Sequence, residues 1–233
     1  MKWFYSLLGA VAVIGGVWLV MAMRNRATPI ALGLSWDGPQ PQPAADGFNG
    51  YVTGSDSAPV EVVEFLDFEC PACSSFAVIQ FPTIRDELIK TGRARWRSRD
   101  YPLPGHKYSR FAAHSAQCAG EQGKYWEMHD ELFGNHGWAQ TGRDPSKLFR
   151  QLAQDAGVDV GKYDECMKSG RYAGRIEASR LEGDRLGAHG TPTFFINGAL
   201  VQGDNVPNSD QITRLVDQAA AAARARPATR PTR

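Results

Sequence analysis

The chain has no excess of charge of either sign. Its 26 Lys and Arg against 25 Asp and Glu leave a formal net charge of +1, and nothing in that balance points to nucleic acid. It has no glycine-rich phosphate loop, no internal repeat and no strong nucleic-acid motif. Cysteine is scarce, with four in 233 residues. A structural zinc usually takes four Cys or His ligands, often from two close pairs. Here there is one close pair, Cys70 and Cys73; Cys118 and Cys166 lie 48 residues apart, and the five histidines are scattered. His114 and Cys118, one helical turn apart, make at most half a site. Copper held by Cys70 and Cys73 alone stays open as a non-enzymatic alternative, although no cluster of Met or His accompanies the pair.

What is present begins with an uncharged run, YSLLGAVAVIGGVWLVMAM, residues 5–23. At about 1.5 Å per residue a helix of that length crosses a bilayer core. An uncleaved transmembrane anchor within residues 1–26 is the expectation, and a cleaved signal with a site near Ala22 is the alternative. Lys2 before the run and Arg24 and Arg26 after it do not choose an orientation. Residues 27–50 include GPQPQPAADG and read as a flexible linker. Residues 224–233, with Arg224, Arg226, Arg230 and Arg233, read as a solvated basic tail.

With 42% hydrophobic residues, the part between has the composition of a globular chain with a real core. VEVVEFLDF, residues 60–68, predicts a buried strand. A helix follows from the cysteine pair, with Pro71 in its first turn, Phe76, Ile79, Ile84 and Leu88 on its apolar face, and a kink at Pro82. Residues 91–101 alternate as a second strand. Residues 105–187 hold helical segments broken near Gly123, Gly134 to Gly142, Gly157 and Gly170. They are too long for a crossover and are expected to form a lobe of their own. TPTFFING, residues 191–198, predicts a strand and a turn at Asn197-Gly198, with ALVQG as its hairpin partner. A final amphipathic helix starts near Ser209 and carries Ile212, Leu215 and Val216. Strands interleaved with helices make this an α/β chain.

The cysteine pair fits redox chemistry best. The first cysteine stands where a strand gives way to a helix, and there the free N–H groups and the helix dipole stabilise a sulfur anion. The second, one turn inward, is placed to resolve a mixed disulfide. Cys70-Pro71-Ala72-Cys73 after a buried strand, together with GTPTFFING at residues 190–198, resembles the DsbA-like branch of the thioredoxin superfamily. The resemblance covers about residues 51–223. It implies a thioredoxin fold with an inserted helical domain, about residues 105–187; the N-terminal transmembrane helix expected from the apolar run would precede it.

It also implies roles. Cys70 is the nucleophile and Cys73 the resolving thiol. Pro192 is the cis-proline facing them and holds the substrate strand together with Thr191. Glu64, six residues before Cys70, is a buried acid that shuttles a proton to or from Cys73; a half-exposed strand glutamate is the plain alternative. Asp67 and Glu69 read as surface acids whose charge would raise the Cys70 pKa, and His189 as a loop histidine near Pro192. Cys118 and Cys166 are expected to form a structural disulfide, with two buried free thiols as the alternative. No dissociable cofactor is needed, and a monomer is expected.

The activity implied is thiol–disulfide exchange. Its direction is expected to be oxidation of unfolded or partly folded exported proteins, with reoxidation by a DsbB-like membrane partner and the domain in the periplasm or outside the cell. Two features keep an isomerase or reductase open. Ala72 stands where familiar DsbA-like oxidases have histidine, and Thr191 resembles the residue before the cis-proline of isomerases. No dimerisation domain of the isomerase kind is evident.

Overall fold

The structure is a computed structural model that describes residues 13–16, 34–36, 39–203 and 205–225. The apolar run expected to be an anchor or signal lies outside the described residues except for 13–16, which are helical. Among the described residues no helix is long and apolar enough to cross a membrane. The end of the basic tail, from 226 onward, also lies outside them.

Among the described residues five strands form one sheet: β1 (Tyr51–Thr53), β2 (Glu61–Leu66), β3 (Arg95–Asp100), β4 (Thr193–Ile196) and β5 (Ala199–Leu200), in the order β1-β3-β2-β4-β5. β2 runs parallel to β3 and antiparallel to β4, so it is the central strand. Its side chains alternate between the two faces. Val62 joins Trp96, Phe194 and Ile196 under the helix that follows β2, while Phe65 packs with Tyr101 and Phe195 on the other side. The turn from β4 to β5 uses Asn197 and Gly198 at φ of 48° and 82°, the left-handed conformations that Asn-Gly accommodates in a tight hairpin.

The helix carrying the cysteines, α1, is built from four abutting stretches, Pro71–Ser75, Phe76–Gln80, Phe81–Ile84 and Arg85–Ile89. The second and fourth are wide π turns. Pro82 has no N–H to return to the preceding turn, and the wide turns on either side absorb the mismatch. They also rotate the helix face. Phe76, Ile84 and Leu88 are buried as their spacing suggests, but Ile79 is 64% exposed and does not belong to the apolar face.

The helical insertion comprises α2 (Ser109–Gly120), α3 (Tyr125–Gly134), a short 3-10 turn (His136–Gln140), α4 (Ser146–Asp155), α5 (Val160–Ser169) and α6 (Ala173–Leu186). It is not a lobe with a separate core. One cluster runs from Leu66, Phe68, Cys70 and Cys73 through Phe111, Ala116, Phe133 and Phe149 to Cys166 and Ile176. The reason is α2, whose residues from Ser109 to Ala119 are all buried between the sheet side and the outer helices. Helix α7 (Ser209–Ala225) closes the other face with Ile212 and Val216 against α1 and β4.

The segment read as a free linker is, over its described part, packed. Leu34 is fully buried, and the Trp36 indole N–H donates to the His106 carbonyl at 2.9 Å while its ring lies 3.8 Å from the Arg110 guanidinium. Ala44 N donates to Gly174 O at 2.8 Å, Asp46 pairs with Arg175 at 2.7 Å, and Phe48 lies under the same guanidinium at 4.2 Å. The composition is that of a linker, but Trp36, Asp46 and Phe48 each find a partner on α2 or α6.

Candidate active site

Cys70 is the residue from which α1 starts. Its backbone is extended (φ −75°, ψ 123°), Pro71 occupies the first helical turn, and Cys73 sits one turn inside with no exposed surface. Cys70 is more enclosed than its place at a helix start suggests, with 6% of its surface accessible. Neither sulfur is bridged. The enclosure comes from the loop before β4: Cys70 Sγ lies 3.4 Å from the Thr191 carbonyl oxygen, and the Thr191–Pro192 peptide is cis. Two stretches 121 residues apart thereby form one site.

The two sulfurs are driven in opposite directions. The hydrogen bond from the Cys73 thiol, then the Thr191 side chain and the N–H groups of Cys73 and Ala72, pull the Cys70 pKa down to about 5 against the cost of burial. The Thr191 hydroxyl has no other partner and is buried, so it is free to donate to a sulfur anion. Burial pushes Cys73 well above the ordinary thiol value, and the charges of Cys70 and Glu64 push the same way. At neutral pH one sulfur is an anion and its neighbour a thiol.

Glu64 is 3% exposed on the face of β2 toward α1. Its neighbours across the sheet are Ser98 and Phe194, and its carboxylate accepts the Trp96 indole N–H at 2.9 Å. Phe76 stacks near both Trp96 and Phe194, sealing the carboxyl from water. Burial raises its pKa to about 8, with the indole hydrogen bond opposing. An acid that holds or yields a proton near neutrality beside a buried thiol has the chemistry of a proton shuttle.

Asp67 and Glu69 are not surface acids. Asp67 is 2% exposed: Oδ1 accepts the Glu69 N–H at 2.8 Å, and Oδ2 accepts the Leu103 N–H at 2.8 Å and bonds His106 Nδ1 at 2.7 Å. Glu69 is half-buried and accepts the Tyr108 N–H at 2.6 Å. Both carboxylates tie the turn into Cys70 to the loop after β3. Neither partner is close in sequence, so the acidic run gave no hint of it. Trp96 and His106 likewise carry no local sequence signal of their place at the site. His189 is exposed and lines, with Thr191 and Pro192, an open groove of about 810 Å³ that runs between the β5 loop and α7.

In the insertion, Cys118 and Cys166 are disulfide-bonded, with Cα atoms 5.7 Å apart. His114 is fully buried beside them, its Nε2 3.1 Å from the Cys166 carbonyl oxygen. The three side chains converge closely enough to suggest metal ligation, but with both sulfurs joined to each other the donor set does not fit a metal.

The thioredoxin family's sequence model matches residues 48–218. The chain belongs to the thioredoxin family. Within it the chain is similar to proteins of disulfide bond formation. It is 27% identical over 169 residues to probable disulfide bond formation protein D of Bacillus cereus, covering 71% of this chain and 76% of that one. It superposes on oxidised BdbD from Bacillus subtilis with a TM-score of 0.66 at 25% identity, covering 77% of this chain and 96% of the other. A third relative is named differently. Na(+)/H(+) antiporter NhaA 3 of Salinispora tropica is 34% identical over 226 residues, 93% of this chain but 33% of the antiporter. The chain thus spans about a third of the length of that relative.

Proposed function

We propose that this thioredoxin-family chain oxidises thiols of exported proteins outside the cytoplasm, through the Cys70/Cys73 couple. The observation that carries the reading is the unequal sulfur pair: a Cys70 sulfur ionised from about pH 5 against a Cys73 sulfur held protonated by burial. In the forward direction a substrate thiolate attacks Cys70 Sγ of the disulfide. The S–S bond breaks, its electron pair leaves on Cys73, and Cys73 takes up a proton with Glu64 as the donor at hand. The second substrate thiolate then attacks the substrate sulfur of the mixed disulfide. Cys70 leaves as a thiolate and the substrate departs oxidised. A stable Cys70 thiolate is a good leaving group, and it favours the reduced enzyme, which makes the couple oxidising.

Pro192 lacks an N–H and Thr191 presents its carbonyl beside Cys70, so an extended substrate strand can lie against residues 190–193 without a competing donor. The partners that follow are unfolded or partly folded exported proteins and a DsbB-like membrane protein to remove the electrons. Residues 5–23 would anchor the domain at the outer face of the cytoplasmic membrane. The test is equilibration of the couple with glutathione redox buffers, read by mobility shift of alkylated protein. A potential more oxidising than about −200 mV is expected of an oxidase; a value near about −270 mV assigns a reductant instead.

A further inference from the structure

Helix α7 starts at a fixed point. Asn208 Oδ1 accepts the Gln211 N–H at 2.9 Å, and Gln211 Oε1 accepts the Asn208 N–H at 2.9 Å, a reciprocal cap. The next N–H, of Ser209, donates to Gln80 Oε1 on α1 at 2.9 Å. Ile212 and Val216 are buried against α1 and β4, so the rotation of the helix is set as well. Gln211, Arg214, Leu215 and Gln218, spaced three and four apart, then form one stripe. That stripe is a wall of the groove of about 810 Å³ that also takes in Thr191 and Pro192.

The groove opens where the sheet leaves an edge bare. β5 pairs with β4 at Phe195 and Ile196, and Val201 N reaches back to Phe194 O at 2.9 Å. Among the described residues no strand lies beside Pro192 and Thr193 on that side; their other side faces β2, where Thr193 pairs with Phe65. An extended peptide whose cysteine meets Cys70 beside the Thr191 carbonyl has this edge to run along, and the residues beyond its cysteine enter the groove.

The wall of the groove carries a charge with no counter-charge. Among the described residues no carboxylate lines it. Arg214 is exposed, and no described acid pairs with it. The acids of its own helix serve elsewhere: Asp217 pairs with Arg93 at 2.5 Å, and Asp210 is not part of the wall. Gln211 is taken up by the cap, and Gln202 and Gln218 are neutral. His189, the other ionisable residue in the lining, stands three residues before Pro192. The guanidinium of Arg214 is a planar fork that matches a carboxylate.

We propose that this groove selects substrate segments carrying an Asp or Glu a few residues from the reacting cysteine, and that Arg214 is the residue that reads the carboxylate. The inference rests on the thiol chemistry proposed above and names the substrate class of that same site. Bulk attraction does not account for such a preference, because the net charge of the chain is only +1. The ion pair forms in an open, hydrated groove, so it changes rates by a small factor and does not switch the reaction on or off.

The test uses the oxidised full chain and short unstructured dithiol peptides. The peptides are identical except at one position, which is Glu, Gln, Lys or Leu and is moved over about two to five residues on either side of a cysteine. Each transfer reduces the Cys70–Cys73 disulfide to two thiols and leaves the peptide with the disulfide, so acid quenching and chromatography of the oxidised peptide give the rate. At one or more positions the Glu peptide should react about three to five times faster than its Gln twin, and the Lys peptide slower than either. High salt should erase most of the difference. In Arg214→Gln the Glu and Gln peptides should react alike, and in Arg214→Glu the Lys peptide should lead. Equal rates for Glu, Gln and Lys at every position in the wild-type protein overturn the proposal, whether or not the variants fold. A Leu peptide that outpaces Glu throughout overturns it in favour of an apolar site, and a Glu advantage that survives Arg214→Gln removes Arg214 from the reading. A wild-type protein that oxidises neither these peptides nor dithiothreitol would instead sink the thiol chemistry itself.

Discussion

The Trp96 indole donates to Glu64 Oε2 across 2.9 Å, and both side chains are buried beneath the cysteine helix. The bond satisfies one lone pair of a carboxyl that burial keeps protonated up to about pH 8. In the unfolded chain the same carboxyl ionises near 4.5. Between those values the folded state binds more protons than the unfolded state, so stability falls as pH rises through that window. Glu64→Gln removes the titration. We expect it to stabilise the fold by about 1–3 kcal/mol at pH 7.5 and by nothing near pH 4, read by urea unfolding at the two pH values. Formation of the mixed disulfide from the oxidised protein should slow, because the proton for Cys73 then has to come from water. Equal stability gains at both pH values would contradict this account.

Cys70 and Cys73 should be separable by alkylation. At pH 6 Cys70 is mostly ionised, its sulfur titrating at about 5, while Cys73 is a buried thiol. Iodoacetamide should modify Cys70 at least tenfold faster in the reduced protein, as judged by peptide mapping; preferential modification of Cys73 would reverse the assigned roles.

The Thr191 hydroxyl is buried with no partner other than the Cys70 sulfur. Thr191→Val keeps its shape and removes the donor. The Cys70 thiolate midpoint should rise by about half to one pH unit while thermal stability stays level, since no other hydrogen bond is lost. Thiolate absorbance and calorimetry read the two quantities, and an unmoved midpoint would count against the hydroxyl.

The Cys118–Cys166 bridge closes a 48-residue separation far from the redox pair in the chain. In the chain-entropy treatment such a link is worth about 4 kcal/mol. Replacing both cysteines with alanine should lower stability by about that amount and leave oxidation of a model peptide dithiol at 25 °C within about twofold of wild type. Loss of turnover in a variant shown to be folded would place this bridge in the electron path.

The proposed topology has its own test. A reporter that is active only after export, fused after Arg233, should be active, and one that works only in the cytoplasm should be silent. The reverse pattern would put the couple in a reducing compartment, where an oxidase is poorly served.

The local chemistry of the cysteine pair was legible in the sequence by itself. A valine-rich strand running into Cys-Pro-Ala-Cys places one sulfur at a helix start and the next a turn inside, because backbone geometry over seven or so residues is a local matter. The α/β order of elements and the Asn197-Gly198 turn were readable for the same reason. Two facts needed the folded chain. Ile79 has the spacing of a buried residue but points to solvent, since π turns around Pro82 shift the helix face after residue 76. Asp67 and Glu69 stand in an acidic stretch that reads as surface, yet both are held by Leu103, His106 and Tyr108. Periodicity reports which way a side chain faces along its own element. It does not report which loop, some 36–39 residues away, will close over it. That was decided by the buried helix α2, whose packing brings the β3 loop, with its histidine, against the turn that carries the reactive sulfur.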